Sequence, residues 1–201
     1  MTGGGPAGSP WVEVLEGCGA LVRGHFRLSS GLHSPVYVQC ALLLADPRRA
    51  RRAGEALAGA LRDRVGGGVD SVLSPALGGV IIGHEVAAAL GVPFRFTERQ
   101  GGGGMALRRG FRLAAGESVV VVEDVVTTGR STRETIAVAA DRGARVLAVG
   151  AILDRTGAAA PFEVPFVSLA GLDLPSWEPD ACPLCAEGTP VEKPGSRPDP
   201  A

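Results

Sequence analysis

From residue 69 onward, short unbroken apolar runs alternate with longer stretches whose apolar positions recur at helical spacing. Residues 69–73 form a short β-type run, 79–90 are helical, and 93–96 are extended again. Residues 107–113 read as a strand. Residues 118–122 are a solid, mostly β-branched run, suited to a central parallel strand buried on both faces. A helix over 131–142 and another buried strand over 146–153 follow. Strand, crossover helix, strand in this rhythm predicts an α/β protein with a central, mostly parallel sheet. Upstream, Asp46-Pro47 marks a helix start, Ala50, Ala53, Leu57 and Leu61 share one face, and Gly66-Gly67-Gly68 stops the helix. Residues 10–21 fit a short helix broken by Gly17 and Gly19. Two strand-like pieces, 25–28 and 35–40, flank the turn-rich 29–34.

The domain expectation is a disordered N-terminus at 1–9, a folded domain at 10–174, and an extended tail at 175–201, where Pro, Gly and charge dominate. No internal repeat is present. The chain of 201 residues has 45% hydrophobic and 20% charged residues, which excludes a wholly disordered protein. A net charge of −1 argues against a generally basic nucleic-acid binder. No apolar run approaches the ~18 residues that span a bilayer. The first residues lack the basic-then-apolar pattern of a secretory signal, so the expected compartment is the cytoplasm. With 30 Gly and nine aromatics (six Phe, two Trp, one Tyr), the core must be aliphatic. Lys193 is the only lysine, so cationic chemistry in the folded part falls to arginine.

The most informative segment is Val119-Val120-Val121-Val122-Glu123-Asp124-Val125-Val126-Thr127-Thr128-Gly129-Arg130-Ser131-Thr132. A buried strand delivers two adjacent acids to its carboxyl end, where open α/β sheets place their ligands. A hydroxyl- and Gly-rich loop then opens a helix whose first N–H groups suit a phosphate. The acids would repel that phosphate unless they serve hydroxyls or a hydrated divalent cation. Sugar hydroxyls plus one phosphate is the ligand that satisfies both. A polar capping loop with no ligand is the simpler alternative. Ser74-Pro75-Ala76-Leu77-Gly78-Gly79 also ends a strand and starts a helix, and allows a second anion loop or a capping turn.

This segment resembles the phosphoribosyl-pyrophosphate motif of the type I phosphoribosyltransferase family. Within it the chain looks most like the orotate-using branch, from about residue 11 to 170. The other matching pieces are the run from Phe26 to Tyr37, the 74–79 loop, and Leu153-Asp154-Arg155. The resemblance implies a central parallel sheet with a small hood largely from 10–45. It also implies transfer of a phosphoribosyl group to orotate, giving orotidine 5′-monophosphate and pyrophosphate, with Mg²⁺ held through the substrate's pyrophosphate. It assigns Glu123, Asp124, Val125, Val126, Thr127, Thr128, Gly129, Arg130 and Ser131 to phosphoribosyl pyrophosphate, together with Ala76, Leu77, Gly78, Arg99 and Arg108. Orotate falls to Ser30, Gly31, Thr127 and Arg155, the last holding the carboxylate. Asp124 and Arg99 are the catalytic candidates. A homodimer with shared sites is the implied assembly, with no nucleic-acid or membrane partner.

The chain departs from that family in two places. Ser29 stands where members usually carry Lys, and the lid region, 97–110, holds four consecutive glycines and arginines Arg99, Arg108 and Arg109, but no Lys or His. Its glycines predict a mobile loop. Arginine stabilises charge but does not donate a proton near neutral pH. Two other functions fit parts of the sequence: a purine phosphoribosyltransferase, and a non-catalytic nucleotide-sensing RNA binder using Arg48, Arg49, Arg51 and Arg52. Cys182 and Cys185 form a CxxC in the tail, half a zinc ligand set that a partner chain or a distant His would have to complete; free thiols are the alternative. His25, His33 and His84 show no metal-ligand spacing of their own.

Overall fold

The computed structural model describes residues 9–28, 30–157 and 162–194. Its core is a six-stranded sheet in the order β5-β4-β3-β6-β7-β8, formed by β3 (Ser71–Pro75), β4 (Phe94–Arg99), β5 (Met105–Leu107), β6 (Ser118–Val126), β7 (Arg145–Asp154) and β8 (Phe166–Gly171). All neighbours are parallel except β5, which returns antiparallel on β4. The expected parallel sheet is therefore present. The strand expected over 107–113 is shorter and earlier, because Arg109 and Gly110 take positive φ (56° and 77°) and turn the chain away. No strand was expected at β8, and β6 runs four residues beyond the predicted 122.

Strand β6 alternates its burial partners. Val120 and Val122 pack with Val72, Ile82 and Leu57 on one face, while Val119 and Val121 face the opposite side. Helices α3 (Pro47–Val65) and α4 (Gly79–Leu90) cover the first face, and α5 (Arg130–Asp141) the second. Helix α3 begins where Asp46 accepts the Arg48 N–H at 2.9 Å and ends at left-handed Gly66. Its Gly54 lies so close to α4 that a methyl group would meet Glu85.

The hood is a hairpin of β1 (Leu21–Arg27) and β2 (His33–Val38). Helix α1 (Pro10–Gly17) precedes it and α2 (Cys40–Leu44) follows. Of the N-terminus expected to be disordered, 1–8 lie outside the described residues. Ser9 is ordered by its contacts: it is buried, caps α1, and donates its hydroxyl to Leu169 O at 2.6 Å.

The tail expected to be extended instead folds back onto the hood. Trp177 and His33 exchange backbone hydrogen bonds of 2.8 and 3.0 Å on the β2 edge. A 3₁₀ turn (Pro179–Ala181) and α6 (Pro183–Ala186) then carry the chain to the β1 edge. There Glu192 donates to His25 O and accepts from Arg27, both at 2.8 Å. Both hood edges thus gain backbone partners, which the Pro- and Gly-rich composition alone did not foretell. Residues 195–201 lie outside the described residues.

Close α3–α4 packing generates a paired test. Gly54→Ala should lose about 1 to 3 kcal/mol in urea denaturation, because its methyl meets Glu85 side chain and backbone. Gly59→Ala, in the same helix with open space around it, should instead gain roughly 0.5 to 1 kcal/mol from helix propensity.

Candidate functional site

The carboxyl ends of β3, β4, β6 and β7 meet on one side of the sheet. A cavity of 570 Å³ opens there, lined by Arg99 and by every residue from Val125 to Thr132. Helix α5 starts at its wall behind left-handed Gly129 (φ 69°), with no side chain capping it. Its first N–H groups, which a helix cannot pair internally, therefore remain to serve an anion. Val125, Val126, Thr127, Thr128, Gly129, Arg130 and Ser131 are all brought to this wall, as their shared motif predicted. The hydroxyl of Thr132 is buried there with no hydrogen-bond partner among the described residues.

The acids sit inside the strand rather than after it. Glu123 is 6% exposed and accepts from Ser131 Oγ at 3.0 Å and from the Asp124 N–H at 3.2 Å. Burial, and then the adjacent Asp124 charge, push the Glu123 carboxyl up to about 8. Asp124 accepts from the Val125 N–H at 2.8 Å. The second loop presses directly on this pair. The Ala76–Leu77 peptide is cis, and a methyl on Gly78 would stand 2.6 Å from both Asp124 carboxylate oxygens. A methyl on Gly79 would crowd Val122 O at 2.9 Å. Only glycine lets Ala76, Leu77 and Gly78 approach the acids this closely, and Leu77 itself is 85% exposed.

Arg99 ends β4 beside the cavity and pairs with Glu134 at 2.9 Å, which Arg130 also binds at 2.9 Å. Arg130, and then Arg99, hold the Glu134 carboxyl below its ordinary value. Sequence reasoning missed Glu134; its place one helical turn after Arg130 was the available signal. The supposed lid is a β4–β5 hairpin: Gln100 N–H donates to Gly104 O at 3.1 Å, and Gly103 and Gly104 take the left-handed turn positions (φ 95° and 75°). The glycines thus serve a turn in place of the expected loose loop. Arg109 is held at Glu98 in a two-pronged pair of 2.8 and 3.0 Å and lies over Phe96, whereas Arg108 is exposed at the hairpin end.

Arg155 follows β7, and its backbone N–H donates to Val126 O at 2.8 Å, which sets it beside Thr127. Its Nε is buried with no hydrogen-bond partner among the described residues. Such a group is costly unless a ligand completes it. Ser30 and Gly31 (φ 90°) lie in the hood turn closed by Leu28 N–H to Leu32 O at 2.8 Å, outside the lining of the 570 Å³ cavity. Ser29 lies outside the described residues. Cys40 packs its sulfur 4.0 Å from Asp124 O; burial, then Asp124, push its thiol well up, so it is no nucleophile. His84 is exposed and stacks edge-on to Phe94. His25 and His33, in contrast, meet Cys182 and Cys185 at the base of the hood.

The phosphoribosyl transferase domain family matches residues 41–170. An orotate phosphoribosyltransferase of Thermotoga maritima is 51% identical over 92% of this chain and 97% of its own. One from Thermus thermophilus is 46% identical, covering 90% and 98%. The crystal structure of orotate phosphoribosyltransferase from Aeropyrum pernix superposes with a TM-score of 0.65 at 30% identity, covering 80% of this chain and 92% of that one.

The raised Glu123 carboxyl predicts a pH signature. Between the unfolded value of 4.5 and about 8, the folded protein holds a proton that the unfolded chain has released. This contribution to stability is full below 4.5 and is lost as pH rises through 8. Glu123→Gln should therefore match wild type in thermal midpoint near pH ~5 and exceed it near pH ~8.5, as read by calorimetry across that range.

Proposed function

The chain belongs to the phosphoribosyl transferase family, and from that premise we propose that it transfers the phosphoribosyl group of phosphoribosyl pyrophosphate to orotate. The observation that carries this reading is the acidic pair Glu123–Asp124 lying between two loops suited to anions. One loop runs from Val125 to Ser131; the other is held against Asp124 at Gly78. A ribose carrying a phosphate on one side and a pyrophosphate on the other matches that order of charges.

In this arrangement the 5′-phosphate takes the start of α5 and the Thr127, Thr128 and Ser131 hydroxyls. The ribose hydroxyls take Glu123 and Asp124. The pyrophosphate takes Ala76, Leu77 and Gly78, with Arg99 and Arg108 supplying positive charge as it leaves. Bond breaking at the anomeric carbon runs ahead of bond making, so positive charge develops on the ribose, beside Asp124. Orotate nitrogen attacks from the side of Thr127, Ser30 and Gly31, with Arg155 holding the carboxylate. No covalent nucleophile is needed.

The residues fit a Mg²⁺ bound through substrate oxygens. Glu123 and Asp124 already accept hydrogen bonds within the protein, which leaves the pyrophosphate and water as the principal oxygen donors. When bound, the cation neutralises charge on the leaving pyrophosphate.

A purine substrate is less well supported, since it has no carboxylate for the unpaired Arg155 Nε. The RNA-binding alternative rested on Arg48, Arg49, Arg51 and Arg52. Arg48 and Arg49 lie 3.7 and 3.8 Å from Asp46, and Arg52 lies over Trp11, which gives these three of the four local contacts. We take the cytoplasm as the compartment, where Cys18 and Cys40 stay reduced. We further propose a homodimer with shared sites, in which exposed Arg108 is the lid residue that reaches the neighbouring subunit.

The direct experiment follows orotate absorbance with Mg²⁺ and phosphoribosyl pyrophosphate, with adenine and xanthine as competitors for the assignment; no orotate consumption overturns it. Arg155→Ala should raise the orotate KM about ten- to a hundredfold, the loss of ~1.5 to 3 kcal/mol for a charged hydrogen bond, with phosphoribosyl pyrophosphate affinity within a few-fold. Arg99→Ala should lower kcat by at least about tenfold with orotate KM little changed, because its contact strengthens as pyrophosphate charge builds. For the dimer, Arg108→Ala mixed with Asp124→Asn under demonstrated subunit exchange should recover activity that neither variant has alone.

A further inference from the structure

The four side chains at the base of the hood come from three places in the chain. His25 lies on β1, His33 on β2, and Cys182 and Cys185 flank the start of α6. Their donor atoms all lie within 4.8 Å of one another. His25 Nε2 is 2.9 Å from His33 Nδ1, 3.4 Å from Cys182 Sγ and 3.8 Å from Cys185 Sγ; Cys185 Sγ is 3.3 Å from His33 Nδ1. His25, His33 and Cys182 are 3%, 5% and 3% exposed. Cys185 is exposed and leaves a way in.

Hydrogen bonding alone does not account for this convergence. His25 Nδ1 lies 2.8 Å from Thr189 O, a carbonyl that can only accept. That bond fixes the proton on Nδ1 and leaves Nε2 with a single lone pair. Three donor atoms, the His33 nitrogen and both sulfurs, are gathered on that lone pair, and it can accept one hydrogen bond. A cation at their centre would use all four atoms at once. A tetrahedral zinc with bonds of about 2.0 to 2.3 Å sets its nitrogens about 3.3 Å apart, and nitrogen and sulfur about 3.6 Å apart. The four separations given above fall within a few tenths of an ångström of these, and the other two are no longer than 4.8 Å. An imidazole whose other nitrogen donates to a carbonyl is also the usual outer partner of a metal-bound histidine.

We propose that His25, His33, Cys182 and Cys185 form a structural zinc site that clamps the C-terminal segment across the hood hairpin. Two thiolates and two imidazoles in tetrahedral array select zinc over hard cations such as Mg²⁺. With four protein ligands the site has no open position, so it supports structure rather than chemistry. Binding at neutral pH displaces the two thiol protons and moves the His33 proton from Nδ1 to Nε2, so both imidazoles bind as neutral ligands. The clamp is independent of what the 570 Å³ cavity binds, so it stands or falls apart from the orotate reading.

The test uses the full chain, purified reduced and without a histidine tag. Elemental analysis should find close to one zinc per chain, either as isolated or after titration of the chelated protein with zinc sulfate against a chromogenic chelator. Cobalt substitution should give the visible bands of tetrahedral Co²⁺ and a thiolate charge-transfer band. Cys182→Ser/Cys185→Ser should lower zinc affinity by more than about tenfold and abolish that band. Because zinc is read on the wild-type chain first, poor folding of the variant leaves the proposal testable. Chelation should speed glutamyl-endopeptidase cleavage after Glu187, which lies in the clamped segment and precedes Gly188. Reduced wild type that takes up no zinc overturns the site, as does a double variant that retains it. Zinc loss with unchanged cleavage overturns the clamp.

Discussion

The arrangement depends on one electrostatic constraint: two adjacent carboxyl groups at the end of a buried strand, where water is scarce. Glu123 and Asp124 cannot both ionise there without cost, and burial pushes Glu123 toward its neutral form. The surroundings follow from that. Ser131 and the Asp124 and Val125 N–H groups occupy the carboxyl oxygens. Gly78 lets a peptide loop stand where any side chain would strike the Asp124 oxygens. The sheet delivers the acids, the first loop begins directly after them at Val125, and the second loop needs glycine at 78 to approach Asp124. The same crowding explains why the site needs a ligand with hydroxyls between two anionic ends, since those hydroxyls can donate to carboxylates that nothing else nearby can fully satisfy.

Much of this was visible in the sequence because local chemistry and global fold agree in it. The valines before Glu123 admit no other reading than a buried strand, and Asp46-Pro47 with Gly66 bracket α3 by capping chemistry alone. The failures are equally specific. β8, with its Ser168 and two small residues, lacks a solid apolar signature; it is a strand because β7 offers an edge. The four lid glycines suggested looseness, yet two of them, Gly103 and Gly104, meet the left-handed demands of a tight hairpin, and pairing of β5 with β4 decided between the two. Arg99 was identified as cationic, but its Glu134 partner arrives from another element, and composition carries no record of such a meeting.

The histidines show the same limit at longer range. Eight residues separate His25 from His33, a spacing without meaning until a hairpin pairs Arg27 with His33 and Phe26 with Ser34. The ladder is irregular between Arg23 and Phe26, and in this local geometry the His25 and His33 rings meet edge to face with centroids 4.8 Å apart. Their cysteine partners lie some 150 residues further on, in a segment whose composition suggests no fold. The sequence shows half a site there, and the backbone exchanges of Trp177 with His33 and of Glu192 with His25 and Arg27 bring the halves together.

Why the hood should be held this way follows from its size. A two-stranded hairpin is marginal alone in water, and this one has few large side chains to bury. It is fastened instead at its margins: Ser9 to Leu169 on β8, Cys40 against Asp124, and the returning tail along both hairpin edges. The turn carrying Ser30 and Gly31 hangs between the strand bearing His25 and the strand bearing His33. Anything that fixes those two imidazoles therefore fixes both ends of the turn. The four His and Cys residues are not among those lining the 570 Å³ cavity. A small, aliphatic domain thus holds its acidic pair and its hood turn through different sets of contacts.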